Sequence, residues 1–143
     1  MIVKSILSAK GSDVATIAPS ATLAEATNIL AEKKIGALVV TGAGGRITGI
    51  ISERDIVRAF ARHGATAFQL PLSEVMTRKV VTCSSTDTVS MLMERMTAGK
   101  FRHLPVTDDD RLVGMISIGD VVKYRLTELE FEKDAMRDYI QTA

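Results

Sequence analysis

The chain has 143 residues, enough for an ordinary domain with a sizeable core, and 46% of them are hydrophobic, which excludes a disordered polypeptide. Its 18 basic and 17 acidic residues leave a net charge of +1, without the basic excess of a nucleic-acid binder. A single cysteine, Cys83, excludes an intramolecular disulfide and a cysteine-built zinc cluster, and the two histidines, His63 and His103, lie far apart.

The opening run from Met1 to Leu7 is too short for a signal peptide, and no segment reaches the ~18 apolar residues of a membrane span. A soluble, cytoplasmic protein with no membrane attachment is expected. An extended piece is predicted from Val14 to Ile17, closed by Pro19. Thr22 and Glu25 fit a capping box, so a helix begins near Leu23, with Leu23, Ala26, Ile29 and Leu30 on one face. Ile35 to Val40 reads as a buried strand, Gly42 to Gly45 as a reversal, and Ile47 to Ile51 as a second strand. A helix then carries Ile56, Val57 and Phe60 as far as His63 and Gly64.

Residues 65 to 75 hold Pro71 and mixed polarity, consistent with a linker leading into a short turn. Val80 to Cys83 reads as extended, with Cys83 half-buried, and Val89, Leu92, Met93 and Met96 form a helical face. Strands are predicted from Phe101 to Val106 and Leu112 to Ile116, joined by Asp108, Asp109 and Asp110. Pro105 interrupts the donor pattern of its strand and marks an edge or a locally unpaired position. The last helix starts near Ile118 and continues through Val122, Leu126, Leu129 and Met136, to dock on its own module or on a second subunit.

The second half repeats the first. Gly49-Ile50-Ile51-Ser52-Glu53-Arg54-Asp55 recurs as Gly114-Met115-Ile116-Ser117-Ile118-Gly119-Asp120, with glycine, serine and aspartate each displaced by 65 positions. Thr22 pairs with Thr88 and Val40 with Val106 at a displacement of 66, the extra residue falling in the first turn. A unit used twice points to two half-modules with sites in clefts between them. Each Ser-x-x-Asp follows a strand and opens a helix, where it serves as a cap worth about 1 kcal/mol. The same junction offers free N–H groups to an anion, and its carboxylate can accept two hydrogen bonds from a ribose diol.

With its Gly-h-h-Ser-x-x-Asp signatures (h apolar) at Gly49–Asp55 and Gly114–Asp120, the chain resembles a tandem pair of cystathionine-β-synthase (CBS) domains over about Lys10 to Tyr124. It is similar to the small stand-alone bacterial members. The resemblance implies an α+β fold: two β-α-β-β-α repeats packed about a pseudo-twofold axis as one Bateman-type module. The divisions expected are an N-terminal segment 1–12, repeats at 13–64 and 75–127, a linker 65–74 and a helical extension 128–143. It also implies adenosyl nucleotide binding and homodimers.

Carried over to this chain, the resemblance makes Asp55 and Asp120 the ribose-binding acids, with Ser52 and Ser117 as their hydroxyl partners. Arg102 and His103 match the family's phosphate-binding basic pair, whereas their counterparts, Gly36 and Ala37, carry no charge. The loop before the first strand of the opposite half adds Lys10 to the Asp120 site and Thr77 and Arg78 to the Asp55 site. The Asp120 site is therefore expected to be the tighter one, with Val14, Leu104, Pro105 and Met115 as neighbours of the nucleotide. The Asp55 site, with Arg54, Arg58, Ile35 and Ala37, is expected to be weaker or to hold part of a larger dinucleotide.

The expected ligand is AMP, with NAD(H) or ATP as alternatives, and no cofactor or metal is required. The expected function is an adenine-nucleotide sensor acting through its own oligomer or an unknown regulated protein. A ligand-free structural or interaction module is the alternative. An enzyme is disfavoured: Ser117 and His103 lack a third catalytic partner, and the three adjacent aspartates at 108–110 diverge rather than converge on a metal.

Overall fold

The computed structural model describes residues 1–142. The chain divides into two compact units. A first-repeat unit gathers Asp13–Val81 with Asp110–Leu112; a second-repeat unit gathers Met1–Ser12, Thr82–Asp109 and the described residues from Val113 onward.

The chain opens with helix α1 (Val3–Lys10), which belongs to the second-repeat unit and has no side-chain cap. Its first amides are satisfied from elsewhere: Val3 donates to the Asp87 carbonyl and Lys4 to the Ser85 carbonyl, both at 2.9 Å. Strand β1 (Thr16–Ile17) follows, and then α2 (Leu23–Lys33). The Thr22 hydroxyl accepts from the Glu25 amide at 3.2 Å and the Glu25 carboxylate from the Thr22 amide at 3.3 Å, the reciprocal pair predicted. Leu23, Ala26 and Leu30 bury the inner face of α2.

Strand β2 (Ala37–Thr41) lies between β1, to which it is parallel, and the antiparallel β3 (Ile47–Ser52). Helix α3 (Glu53–His63) ends at Gly64, whose φ of 65° lies in the left-handed region. The stretch read as a linker is ordered: one 3-10 segment (Gly64–Gln69) and the single-turn α4 (Leu72–Val75). Ala67 and Leu72 expose no surface, and the Leu72 amide donates to the Ala21 carbonyl at 2.8 Å. Two apolar anchors therefore fasten this segment to the core of the first-repeat unit despite its mixed polarity.

In the second-repeat unit the piece around Cys83 forms a single parallel bridge to Val106 in place of a strand. The Cys83 amide donates to the Pro105 carbonyl at 3.0 Å and the Thr107 amide to the Cys83 carbonyl at 2.8 Å. Cys83 is thereby 4% exposed, more buried than predicted, and burial beside Asp87 pushes its thiol up to about 12. Helix α5 (Val89–Gly99) precedes a hairpin of β4 (His103–Asp108) and β5 (Arg111–Ser117). Asp109 and Asp110 turn it with φ of 50° and 62°, the left-handed pair of a primed turn. Helix α6 (Ile118–Thr142) closes the described chain. Val3, Ile6 and Leu7 of α1 join Val89, Leu92 and Met96 of α5 and Leu104, Val106 and Ile116 of the hairpin in one core. Among the described residues no helix is long and apolar enough to cross a membrane.

Candidate functional site

The two Ser-x-x-Asp motifs occupy the junctions β3–α3 and β5–α6. At the first, Ser52 is extended (φ −122°, ψ 170°) and caps α3. One carboxylate oxygen of Asp55, Oδ2, accepts from the Ser52 amide at 2.8 Å and the Ser52 hydroxyl at 3.0 Å. A cap requires no more than this, yet Oδ1 also accepts from the Thr77 hydroxyl at 2.7 Å, and Asp55 is only 5% exposed. Thr77 is held in place by two hydrogen bonds with Ile50, each 2.9 Å.

The second junction has the same frame with a different third partner. Asp120 Oδ2 accepts from the Ser117 amide at 2.9 Å and hydroxyl at 3.0 Å, and the Asp120 amide donates back to Ser117 Oγ at 3.2 Å. The third donor is the Lys10 ammonium, 2.6 Å from the same oxygen and 3.0 Å from the Met115 carbonyl. Burial pushes the Asp120 carboxyl up, but Lys10 and the Ser117 donors outweigh it and hold the group below the usual carboxylate range. None of these bonds reaches Oδ1. The third donor is therefore a neutral hydroxyl at Asp55 and a cation at Asp120.

The repeated glycines have a steric reason. A Cβ on Gly49 would stand 2.6 Å from Met76 Sδ and 2.9 Å from the Thr77 carbonyl oxygen. On Gly114 it would stand 2.6 Å from Leu7 Cδ2. Each glycine lets the segment that reaches the aspartate lie flat on the strand before the junction. This role was not visible in the sequence, because the partners lie 27 positions downstream in one case and 107 upstream in the other.

The remaining predicted residues divide. In the second-repeat unit, Lys10, Met115, Ser117 and Asp120 are brought together. Arg102 joins them through its backbone, its carbonyl accepting from the Ile118 amide at 2.7 Å; the Gly36 carbonyl accepts from Glu53 at 3.1 Å in the same way. This matched pair of bonds supports the alignment of Arg102 with Gly36 and of His103 with Ala37. His103 is half-buried at the head of β4, whereas Leu104 exposes no surface and Pro105 is buried. In the first-repeat unit, Ser52, Asp55 and Thr77 meet; Ala37 is buried opposite Ser52, and Ile35 is half-buried beside it. Arg54 is exposed on the first turn of α3, the Arg78 guanidinium donates to the Ser73 carbonyl, and Val14 is half-buried just ahead of β1.

Asp55 and Thr77 also form one end of a cavity of about 250 Å³ between α3 and α4. Arg58, Ala59 and Arg62 line it at helical spacing from Asp55, with His63, Glu74, Val75 and Met76 completing the wall. Arg62, His63 and Glu74 were not singled out from the sequence, although the i, i+3, i+4, i+7 spacing from Asp55 was available to identify Arg62. The wall carries charges of both signs.

Residues 3–62 and 72–127 each match the model of the CBS domain. The chain belongs to the CBS-domain family. The match takes in α1, ahead of the span from Lys10 to Tyr124 that carries the sequence resemblance. The crystal structure of the CBS-domain protein ATU1752 from Agrobacterium tumefaciens is 50% identical, with a TM-score of 0.85 over 87% of this chain and 92% of that one. The CBS domain pair of protein MJ0100, solved in complex with 5′-methylthioadenosine and S-adenosyl-L-methionine, is 27% identical, with a TM-score of 0.79 over 90% and 98% of the two chains. The mitochondrial CBS domain-containing protein CBSX3 of Arabidopsis thaliana is 34% identical over 124 residues; this chain is matched over 84% of its length but spans only 60% of the plant protein.

Proposed function

We propose that this CBS-domain chain is a regulatory module that binds an adenosine-type ligand, with the ribose held at the junction carboxylates. The observation that carries this reading is that Asp55 and Asp120 do more than cap. Each is also tied to a distant segment, through Thr77 or Lys10. The complexes of the MJ0100 pair with adenosine derivatives support the ligand class. AMP is the first candidate, because Lys10, Arg102 and His103 of the second repeat supply donors for one phosphate; NAD(H) and ATP are alternatives. The module binds rather than turns over its ligand, and it works as a cytoplasmic homodimer that passes occupancy to a separate protein. A ligand-free interaction module is the second reading, favoured by the way Lys10 and Ser117 already satisfy Asp120 Oδ2.

Calorimetry on the wild type and Asp120→Ala separates the two. The expected result is AMP binding that weakens by at least about tenfold in the variant, its fold verified by circular dichroism. Unchanged affinity would remove the ribose assignment. If AMP, ATP, NADH and S-adenosylmethionine all leave the melting temperature of the wild type unmoved, the ligand-free reading holds, because a ligand that binds only the folded state must stabilise it.

A further inference from the structure

Helix α6 runs well past the core that anchors it. Ile118, Val121 and Tyr124 pack on that core, but Val122, Leu126, Leu129, Met136 and Ile140 are between 43% and 66% exposed. Their spacing is regular: with Lys133 included, the positions step by four, three, four, three and four. That is a heptad seam, with Leu126, Lys133 and Ile140 at a and Val122, Leu129 and Met136 at d. Phe131, at f, stays outside it.

The charges beside the seam select its occupant. Arg125 and Glu132 fall at g, Glu130 and Arg137 at e. In a parallel pair of identical helices, each g residue faces the e residue five positions further along the other chain, so Arg125 meets Glu130 and Glu132 meets Arg137, both attractive. The full-length antiparallel alignment, Leu129 against Lys133, instead sets Glu130 against Glu130, Glu132 against Glu132 and Lys123 against Arg137. A one-heptad slip relieves that repulsion only by uncovering two of the six seam positions. Lys133 at a adds register at some cost in stability. Arg125 pairs with Glu128 at 3.2 Å along its own helix, a contact that pairing with Glu130 of a second copy would replace or share.

We infer that residues 122–140 of α6 form a parallel two-stranded coiled coil with the same segment of a second copy of this chain. The proposal gives an interface to the homodimer of the proposed function and rests on that part of the reading, but it is independent of which ligand the aspartates hold. It is tested on the full chain carrying Leu129→Cys, since parallel pairing puts a d position directly against itself. Cys83, 4% exposed, stays silent. Under mild oxidation at micromolar concentration, most of the chain is expected to run as a covalent dimer. Adding Glu132→Lys, which faces Arg137 with another cation, should lower that yield several-fold, and Glu132→Lys with Arg137→Glu should restore it. A yield no higher than that of Phe131→Cys would overturn the proposal, as would failure of the charge swap to restore it. Preferential linkage of Leu129→Cys to Lys133→Cys in a mixture would do the same by showing antiparallel pairing.

Discussion

Gly49 and Gly114 hold the same place in the two repeats, but a methyl group added at each would meet different neighbours. At Gly49 it would press on the Thr77 carbonyl at 2.9 Å as well as on Met76, and that carbonyl is fixed by its bond to the Ile50 amide. At Gly114 it would meet the branched end of Leu7, which can rotate aside. Overpacking against a fixed group costs about 1–3 kcal/mol, so Gly49→Ala should lose stability in that range and Gly114→Ala clearly less. Urea denaturation of the two variants decides this; equal losses would mean that Leu7 is as immobile as the backbone. Because Thr77 holds Asp55, Gly49→Ala should also disturb the first junction, whereas Gly114→Ala leaves Lys10 in place. The signature glycine was legible as a repeat marker, but its steric duty was not, since that duty is set by a side chain far away in sequence.

Helices α1 and α2 differ in where their ends are satisfied, and this governed how much of each could be read. Thr22 and Glu25 start α2 from within its own sequence, and the α2 boundary emerged where expected. Helix α1 has eight residues and no cap of its own; its first amides depend on carbonyls of Ser85 and Asp87, so nothing local announced it. The same holds for residues 64–75, which are ordered by two buried anchors rather than by periodicity. The Lys10–Asp120 contact fastens the far end of α1 to α6. Lys10→Met keeps the side-chain stem and removes the charge. It should raise the Asp120 carboxyl back towards its ordinary value and reduce amide protection over residues 3–10. Carboxyl-detected titration and hydrogen exchange report the two effects separately; unchanged protection would mean that the apolar face of α1 alone holds it.

At the scale of the molecule, the second-repeat unit gathers carboxylates whose hydrogen bonds tie its stability to pH. Asp87, Asp108 and Asp120 all belong to the second-repeat unit, and all three are held below the usual carboxylate range. The Ser84 amide and Arg95 do this for Asp87, hydrogen bonds from Ser85 for Asp108, and Lys10 with Ser117, against the opposing effect of burial, for Asp120. Each folded group therefore takes up its proton at lower pH than the unfolded chain does. The stability they lend is complete above the ordinary carboxylate value, about pH 4, and is lost as pH falls through their depressed values. Tyr124 packs on the core of this unit while Tyr139 is 71% exposed, and these are the only two tyrosines in a chain without tryptophan. The tyrosine bands of the near-ultraviolet circular dichroism thus report the second-repeat unit, and the far-ultraviolet signal reports both. On titration from about pH 6 to about pH 3, the tyrosine signal should fall ahead of the helical signal. In Lys10→Met the tyrosine transition should become shallower, because Asp120 no longer binds its proton so much later in the folded state than in the unfolded one. Coincident loss of both signals in the wild type would show that the two units unfold as one and that the acid-sensitive unit carries the other with it.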